Sequence, residues 1–214
     1  MIWSYSFLNK FLQCPHEAWH RYVLRDVPYV ETPQMKLGNE VHTALENRLK
    51  GKPLPKDYER YEFFAQPLGR YGGIQPEMKL GITTQGKPAN FYAKEAWGRG
   101  KIDVPIVVGD SAVILDWKTG RVWEDPFELQ VQAVLLKAHR PALQRIVGSY
   151  VWLAESRVGV TYTLDPQAAW GKICAIMDSV GHREKMGVWE KSPGKLCAWC
   201  PVKSCEHNKN RELE

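Results

Sequence analysis

Two aspartates and a lysine come together when the chain is counted along a hairpin. Val104-Pro105-Ile106-Val107-Val108 and Ala112-Val113-Ile114-Leu115 are rich in β-branched residues, and Gly109-Asp110 between them reads as a two-residue turn. If Val108 pairs with Ser111, counting outward sets Asp103 opposite Asp116, with Cβ atoms roughly 5 Å apart. Like charges so close repel unless something binds between them. A hard divalent cation does so, because it takes carboxylate oxygens and substrate phosphates together. The two-residue period of a strand puts Lys118 on the same face as Asp116. A lysine beside a scissile phosphate can position or polarise attacking water and offset developing charge. This face has the groups needed for metal-dependent phosphodiester hydrolysis.

The cysteines form a second constellation. Cys197, Cys200 and Cys205 place three thiolates within nine residues, enough for three corners of a tetrahedral site. Cys14, in Leu12-Gln13-Cys14-Pro15, is the candidate for the fourth. Five cysteines in all is an odd number, which argues against a disulfide framework in a cytosolic protein. Four thiolates suit an iron–sulfur cluster or structural zinc alike, and spacing alone does not separate them. In a zinc site, His16 or His207 could replace one thiolate. Cys174 falls in the apolar stripe of a helix and reads as core.

The elements that must position these groups can be read from capping residues and periodicity. Ser4 or Ser6 caps a first helix running to about Arg25, with Phe7, Phe11, Ala18 and Tyr22 on one face. Leu37, Val41, Leu45 and Leu49 predict a second helix over residues 36–50, ended by Gly51-Lys52-Pro53. Ile74–Ile82 and Phe91–Trp97 read as strands ahead of the hairpin. Asp125-Pro126 starts a third helix. Residues 146–153 and 158–164 read as a second hairpin, and Asp165-Pro166 caps a last helix to about Met186. Trp170, Ile173, Cys174, Met177 and Val180 are its inward face. The order predicts an α/β core with helices at both ends.

At 214 residues the chain suits one domain with small appendages. Its 44% hydrophobic and 25% charged residues are ordinary for a globular protein. No apolar run approaches the roughly 18 residues of a membrane span. Met1-Ile2-Trp3-Ser4-Tyr5 lacks a signal peptide's layout, so the expectation is a cytoplasmic protein without a membrane partner. A net charge of +5 permits a polyanionic partner but does not by itself require one.

Asp103, with Gly100-Lys101-Ile102 before it, and Asp116-Trp117-Lys118-Thr119-Gly120 together resemble the signature of the PD-(D/E)XK nuclease superfamily. The similarity is to its RecB-like exonuclease group, which includes the CRISPR adaptation nucleases and the nuclease domains of recombination helicases. The resemblance implies a restriction-endonuclease-like fold, a central mixed sheet flanked by helices, with N-terminal helices and a C-terminal cysteine cluster. It implies one nuclease domain over residues 1–214 with its core at about 74–186. The N-terminal part, 1–55, and the tail, 187–214, are then joined by the metal cluster.

In that family Asp103 and Asp116 correspond to holders of one or two Mg2+ or Mn2+ ions. His42, in Gly38-Asn39-Glu40-Val41-His42, corresponds to a further ligand, and an imidazole favours manganese somewhat. Lys118 aligns the attacking water. Gln130, in Leu129-Gln130-Val131-Gln132, is the best match to the family glutamine that positions Lys118 or the DNA. Glu77 is a possible supporting acid, and Glu95 a rival for that part. The tyrosine expected four residues after the glutamine is replaced by Val134. Trp117 and Trp123 flank the site and are candidates to touch substrate, and Lys101, Lys118 and Arg121 to meet phosphates, with Lys101 equally placed to face solvent. Cys14, Cys197, Cys200 and Cys205 match the subset that carries a four-iron–four-sulfur cluster. The implied activity is a metal-dependent deoxyribonuclease, an exonuclease on single-stranded DNA ends. The implied partners are DNA with free ends and recombination, repair or CRISPR proteins. Two other readings are a catalytically inactive DNA-binding or assembly module of this fold, and a zinc-stabilised protein of unrelated function.

Overall fold

Val108 pairs with Ser111 and Val104 with Leu115, the register expected of the hairpin around Gly109-Asp110. Gly109 has φ 59°, the left-handed conformation that a tight hairpin turn requires. The computed structural model describes residues 1–71 and 74–209. The strands are β1 (Met78–Ile82), β2 (Pro88–Ala89), β3 (Gly98–Ile102), β4 (Val104–Val108), β5 (Ser111–Lys118), β6 (Arg145–Trp152) and β7 (Arg157–Thr163). Among the described residues the α-helices are α1 (Tyr5–Gln13), α2 (Pro15–Ala18), α3 (Pro33–Leu49), α4 (Glu62–Leu68), α5 (Phe127–His139) and α6 (Pro166–Met186).

The chain divides into two compact units, one of Met1–Ile2 with Glu31–Trp170, the other of Trp3–Val30 with the chain from Gly171 onward. The first unit holds a four-stranded mixed sheet ordered β4-β5-β6-β7 and a three-stranded sheet ordered β2-β1-β3. β5 and β6 are parallel and the other neighbours antiparallel. A parallel pair needs a long crossover, which α5 supplies. β3 and β4 are separated by Asp103 alone, so the chain leaves one sheet for the other at that residue.

Alternation along β5 sorts its side chains. Leu115 and Trp117 pack with Val41, Leu45, Tyr61 and Ala65 from the helical segments before the sheet. Asp116 and Lys118 turn to the opposite side, where α5 lies. Gly100 on β3 allows α5 close approach, since a Cβ there would lie 2.7 Å from Leu135 Cδ1.

Several expectations need correction. The aromatic run Phe91–Trp97 is not a strand. Asn90 accepts from Tyr92 N through its side chain and from Ala93 N through its carbonyl, which winds the segment into turns, and Gly98–Ile102 pairs with β1 instead. The preceding strand begins at Met78, because Glu77 has φ 56° and cannot continue a ladder. The first helix breaks at Cys14, the extended residue before Pro15, and the chain continues as α2 and a short π-helix, Trp19–Leu24. The second helix starts earlier, at Pro33, capped by Thr32. The last helix has the expected bounds, with Asp165 Oδ1 accepting from Gln167 N and Ala168 N at 3.0 Å. On it Ile173, Met177 and Val180 are buried, but Trp170 and Cys174 are half-exposed. No helix among the described residues is long and apolar enough to cross a membrane.

Candidate active site

Asp103 lies one step past the last β4–β5 rung, where the strands diverge. Its side chain bridges the gap: Oδ2 accepts from Trp117 N at 2.9 Å, and its carbonyl accepts from Glu77 N at 3.0 Å. That second bond helps hold Glu77 in the left-handed region, which for a residue with a Cβ costs about 1–2 kcal/mol. A non-glycine residue so held is a common mark of a functional position. The turn sends the Glu77 carboxylate toward His42 on α3 (Nδ1 to Oε1, 3.7 Å) and Lys101 (Nζ to Oε2, 3.2 Å). His42 Nδ1 lies 3.3 Å from Asp103 Oδ2. One helical turn before His42, a Cβ on Gly38 would lie 3.3 Å from Thr119 Oγ1, so the glycine lets α3 close on the end of β5. Ligand atoms of His42, Glu77 and Asp103 all lie within 4.8 Å of one another.

Asp116 adjoins this group on β5 and is 3% exposed. Its Oδ1 accepts from Gln132 Nε2 at 2.7 Å, and its Oδ2 lies 2.6 Å from Lys118 Nζ. Lys118 is held from the other side by Glu128 Oε2 at 2.7 Å, and Nζ lies 5.2 Å from the centre of the Tyr150 ring. Tyr150 is the β6 partner of Asp116, and its hydroxyl donates to Asp125 O at 2.6 Å. Glu128 and Gln132 reach the same place because they are four residues apart on α5.

The charges are strongly coupled. Burial disfavours a charged His42, but hydrogen bonding to Asp103 and Glu77 and the charges of Asp103 and Asp116 outweigh it, raising the imidazole to about 10. His42 and then Lys101 hold Glu77 well below the ordinary carboxylate range, against the effect of its burial. Burial, then the charge of Asp116, raises Asp103. The same two causes raise Glu128 to about 7. Burial works against the Lys118 charge, yet Asp116 and Glu128 prevail and push the ammonium above the usual lysine range. Four acidic groups, Glu77, Asp103, Asp116 and Glu128, face three basic ones, His42, Lys101 and Lys118. Once His42 gives up its proton, an imidazole nitrogen and several carboxylate oxygens are left that suit a cation.

His42, Glu77 and Asp103 form the one group of this kind among the described residues, with Asp116 and Lys118 beside it. Gln130 is half-buried, about 200° around α5 from Gln132, and it is Gln132 that meets Asp116. Trp117 is buried in the core rather than at a substrate surface, whereas Trp123 is 75% exposed. Arg121 and Glu95 are exposed, and Glu95 lies outside the ligand group. Val134 is buried. Glu128, Gln132 and Tyr150 join the site without matching any of the sequence motifs by position. The available signal was the i, i+4 spacing of Glu128 and Gln132 on a helix directly after the Asp-x-Lys strand.

The second unit contains the cysteines. Cys14, Cys197, Cys200 and Cys205 line one cavity of about 300 Å³, together with His16 and His207. None forms a disulfide. Their sulfurs do not draw to the mutual distances seen in the histidine–carboxylate group. Asn208 Nδ2 donates to Cys200 O and Val202 O, bracing the loop that bears Cys200 and Cys205. Burial pushes the Cys200 thiol up, against a backbone hydrogen bond with Val202, and Glu17, Cys14 and Cys205 add to the rise. Elsewhere in the unit Trp189 stacks on Trp19 and meets the edge of Phe11, and His16 N donates to Glu190 O.

No protein-family profile matches the chain, and no curated protein does. Solved structures are similar. A protein called SSO0001 matches with a TM-score of 0.52 at 16% identity, covering 97% of this chain and 87% of that one. A protein from Eubacterium rectale described as a "Putative exonuclease" matches with a TM-score of 0.57 at 12% identity, covering 99% and 88%. At these identities the likeness concerns the fold: a central mixed four-stranded sheet flanked by helices, the restriction-endonuclease-like arrangement.

Proposed function

We propose that the first unit hydrolyses DNA phosphodiester bonds with a divalent cation, acting as an exonuclease on single-stranded ends. The observation that carries this reading is the juxtaposition of the His42–Glu77–Asp103 ligand group with the Asp116–Lys118 pair. Carboxylate oxygens with one imidazole fit Mn2+ or Mg2+, and His42, Glu77, Asp103 and Asp116 would hold it. When bound, the cation supplies Lewis acidity and a lowered pKa for water. The chain's own residues do the rest. The Trp117 N–H fixes Asp103, and Gln132 fixes Asp116. Lys118, held charged between Asp116 and Glu128, presents a cation where negative charge develops on the phosphate. The fold shared with a structure described as a putative exonuclease supports the same reading.

For the second unit we propose that Cys14, Cys197, Cys200 and Cys205 hold a four-iron–four-sulfur cluster. Their shared cavity and four-thiol donor set support this. His16 and His207 on the same cavity favour zinc as the second reading. Protein purified without oxygen is brown under the first reading and colourless under the second. The service of DNA recombination, repair or CRISPR adaptation belongs to the same proposal.

The test of the activity is incubation of end-labelled single- and double-stranded DNA with Mg2+ or Mn2+, comparing the native protein with Asp116→Asn. The expected result is metal-dependent loss of label from single strands by the native protein alone. DNA left intact by both under every metal would refute the nuclease reading. Equal degradation by both would refute the assigned site.

A further inference from the structure

β1 and β3 bury Leu80, Ile82 and Ile102 on one face, so their alternate residues look the other way. On that outer face Lys79 stands directly opposite Lys101, and Arg99 opposite Gly81. Like charges in direct cross-strand register destabilise a strand pair. Their compensation within the unit is incomplete. Lys101 Nζ lies 3.2 Å from Glu77 Oε2 and its side chain stays 54% exposed. Lys79 Nζ donates to the Tyr92 hydroxyl at 3.2 Å, lies 5.7 Å from the ring centre, and feels Glu46 and Glu77 only through space. The Arg99 guanidinium lies 5.4 Å from the centre of the Phe91 ring, and its Nε is buried without a hydrogen-bond partner. Tyr92 is 70% exposed, on a turn fixed by the bond from its N–H to Asn90 Oδ1. This row of cations begins two residues from Asp103 and runs away from the ligand group along β3.

We propose that this outer face is the track along which a single DNA strand approaches the active site. Lys79, Lys101 and Arg99 contact its phosphates, and Tyr92 stacks on a base. Two facing lysines call for an anion, as two facing carboxylates call for a cation. The exposed aromatic among the cations selects an unpaired strand over a duplex, since only an unstacked base offers its face to a side chain. The inference rests on the nuclease reading of the adjoining site.

Binding of a short fluorescein-labelled oligothymidylate is followed by anisotropy across a salt series, with Mn2+ present. Asp116→Asn is the background, so that the strand stays whole. Adding Lys79→Gln and Lys101→Gln removes two phosphate contacts. Binding then weakens roughly 25-fold at about 0.1 M salt, and the slope of log K against log salt flattens by about 1.4, at about 0.7 per contact. Tyr92→Leu weakens binding about 5-fold or more without changing the slope. Arg140→Gln, an exposed cation at the end of α5, changes neither. If the native protein cleaves DNA but the double lysine variant binds with unchanged affinity and slope, the track is refuted and the nuclease reading stands. Displacement by polyglutamate as effective as by unlabelled oligothymidylate also refutes it, because the face would then read charge without bases. If the native protein neither binds nor cleaves, the nuclease reading fails and takes this inference with it.

Discussion

Replacing Gln132 by Leu separates stability from activity in a way that follows from its two amide ends. Nε2 donates to the buried Asp116 carboxylate at 2.7 Å, whereas Oε1 is buried with no partner. Losing a hydrogen bond to a charged acceptor costs about 1.5–3 kcal/mol. Removing a buried carbonyl oxygen that has no donor recovers about 1–3 kcal/mol. The two nearly cancel, so Gln132→Leu is expected to change unfolding free energy by less than about 1 kcal/mol in a urea titration. Activity has no such compensation. Asp116 loses the donor that sets its orientation and keeps only Lys118, so kcat should fall about 10- to 100-fold, a barrier increase of about 1.4–2.7 kcal/mol. Gln130→Leu, on the far side of the same helix, should leave kcat within about twofold of the native value, a change of about 0.4 kcal/mol. Single-turnover cleavage of labelled DNA and urea denaturation of both variants give the comparison. A larger kcat loss from Gln130→Leu than from Gln132→Leu would refute the assignment of Gln132 as the residue that positions Asp116.

Three other outcomes follow from the same geometry. His42 is raised from 6.5 to about 10 in the metal-free protein, so its stabilising charge is complete below pH 6.5 and lost as pH rises through about 10. A cation must displace that proton, so Mn2+ affinity measured by calorimetry should rise up to tenfold per pH unit across this window, and His42→Ala should flatten the rise. Lys118→Met leaves Asp116 and Glu128 facing each other without their cation and should cost about 3 kcal/mol in urea denaturation. Adding Glu128→Gln should restore part of that, and strict additivity of the two changes would contradict the triad. Trp117→Ala should cost about 3–5 kcal/mol in stability, whereas Trp123→Ala should stay within about 0.5 kcal/mol, both by thermal and urea unfolding.

Local chemistry made part of this site legible in the amino-acid order alone. The β-branched runs and the Gly109-Asp110 turn dictate a hairpin register, and that register brings Asp103 near Asp116 and puts Lys118 on its face, because strand pairing is counted residue by residue from the turn. The Asp-Pro starts of α5 and α6 were equally readable, since they act on the next few residues: Asp165 caps α6, and at α5, where Pro126 is the cap residue, Asp125 Oδ1 accepts from Phe127 N. Periodicity could not show which helix face meets the sheet. Gln130 and Gln132 are both glutamines in one apolar helix, and only the burial of Leu129, Leu135 and Leu136 sets the rotation that brings Gln132 to Asp116. The aromatic run before Gly98 has the stronger strand propensity, yet the glycine-bearing segment after it forms the strand, because α5 needs the space at Gly100. Glu77 joins His42 and Asp103 through a left-handed turn that depends on the Asp103 carbonyl, 26 residues further along. The sequence determined what short-range rules can count: a hairpin, its charges and its caps. The tertiary structure decided helix rotation, strand choice and which side chains make up the candidate ligand group, because each depends on packing between segments far apart in the chain.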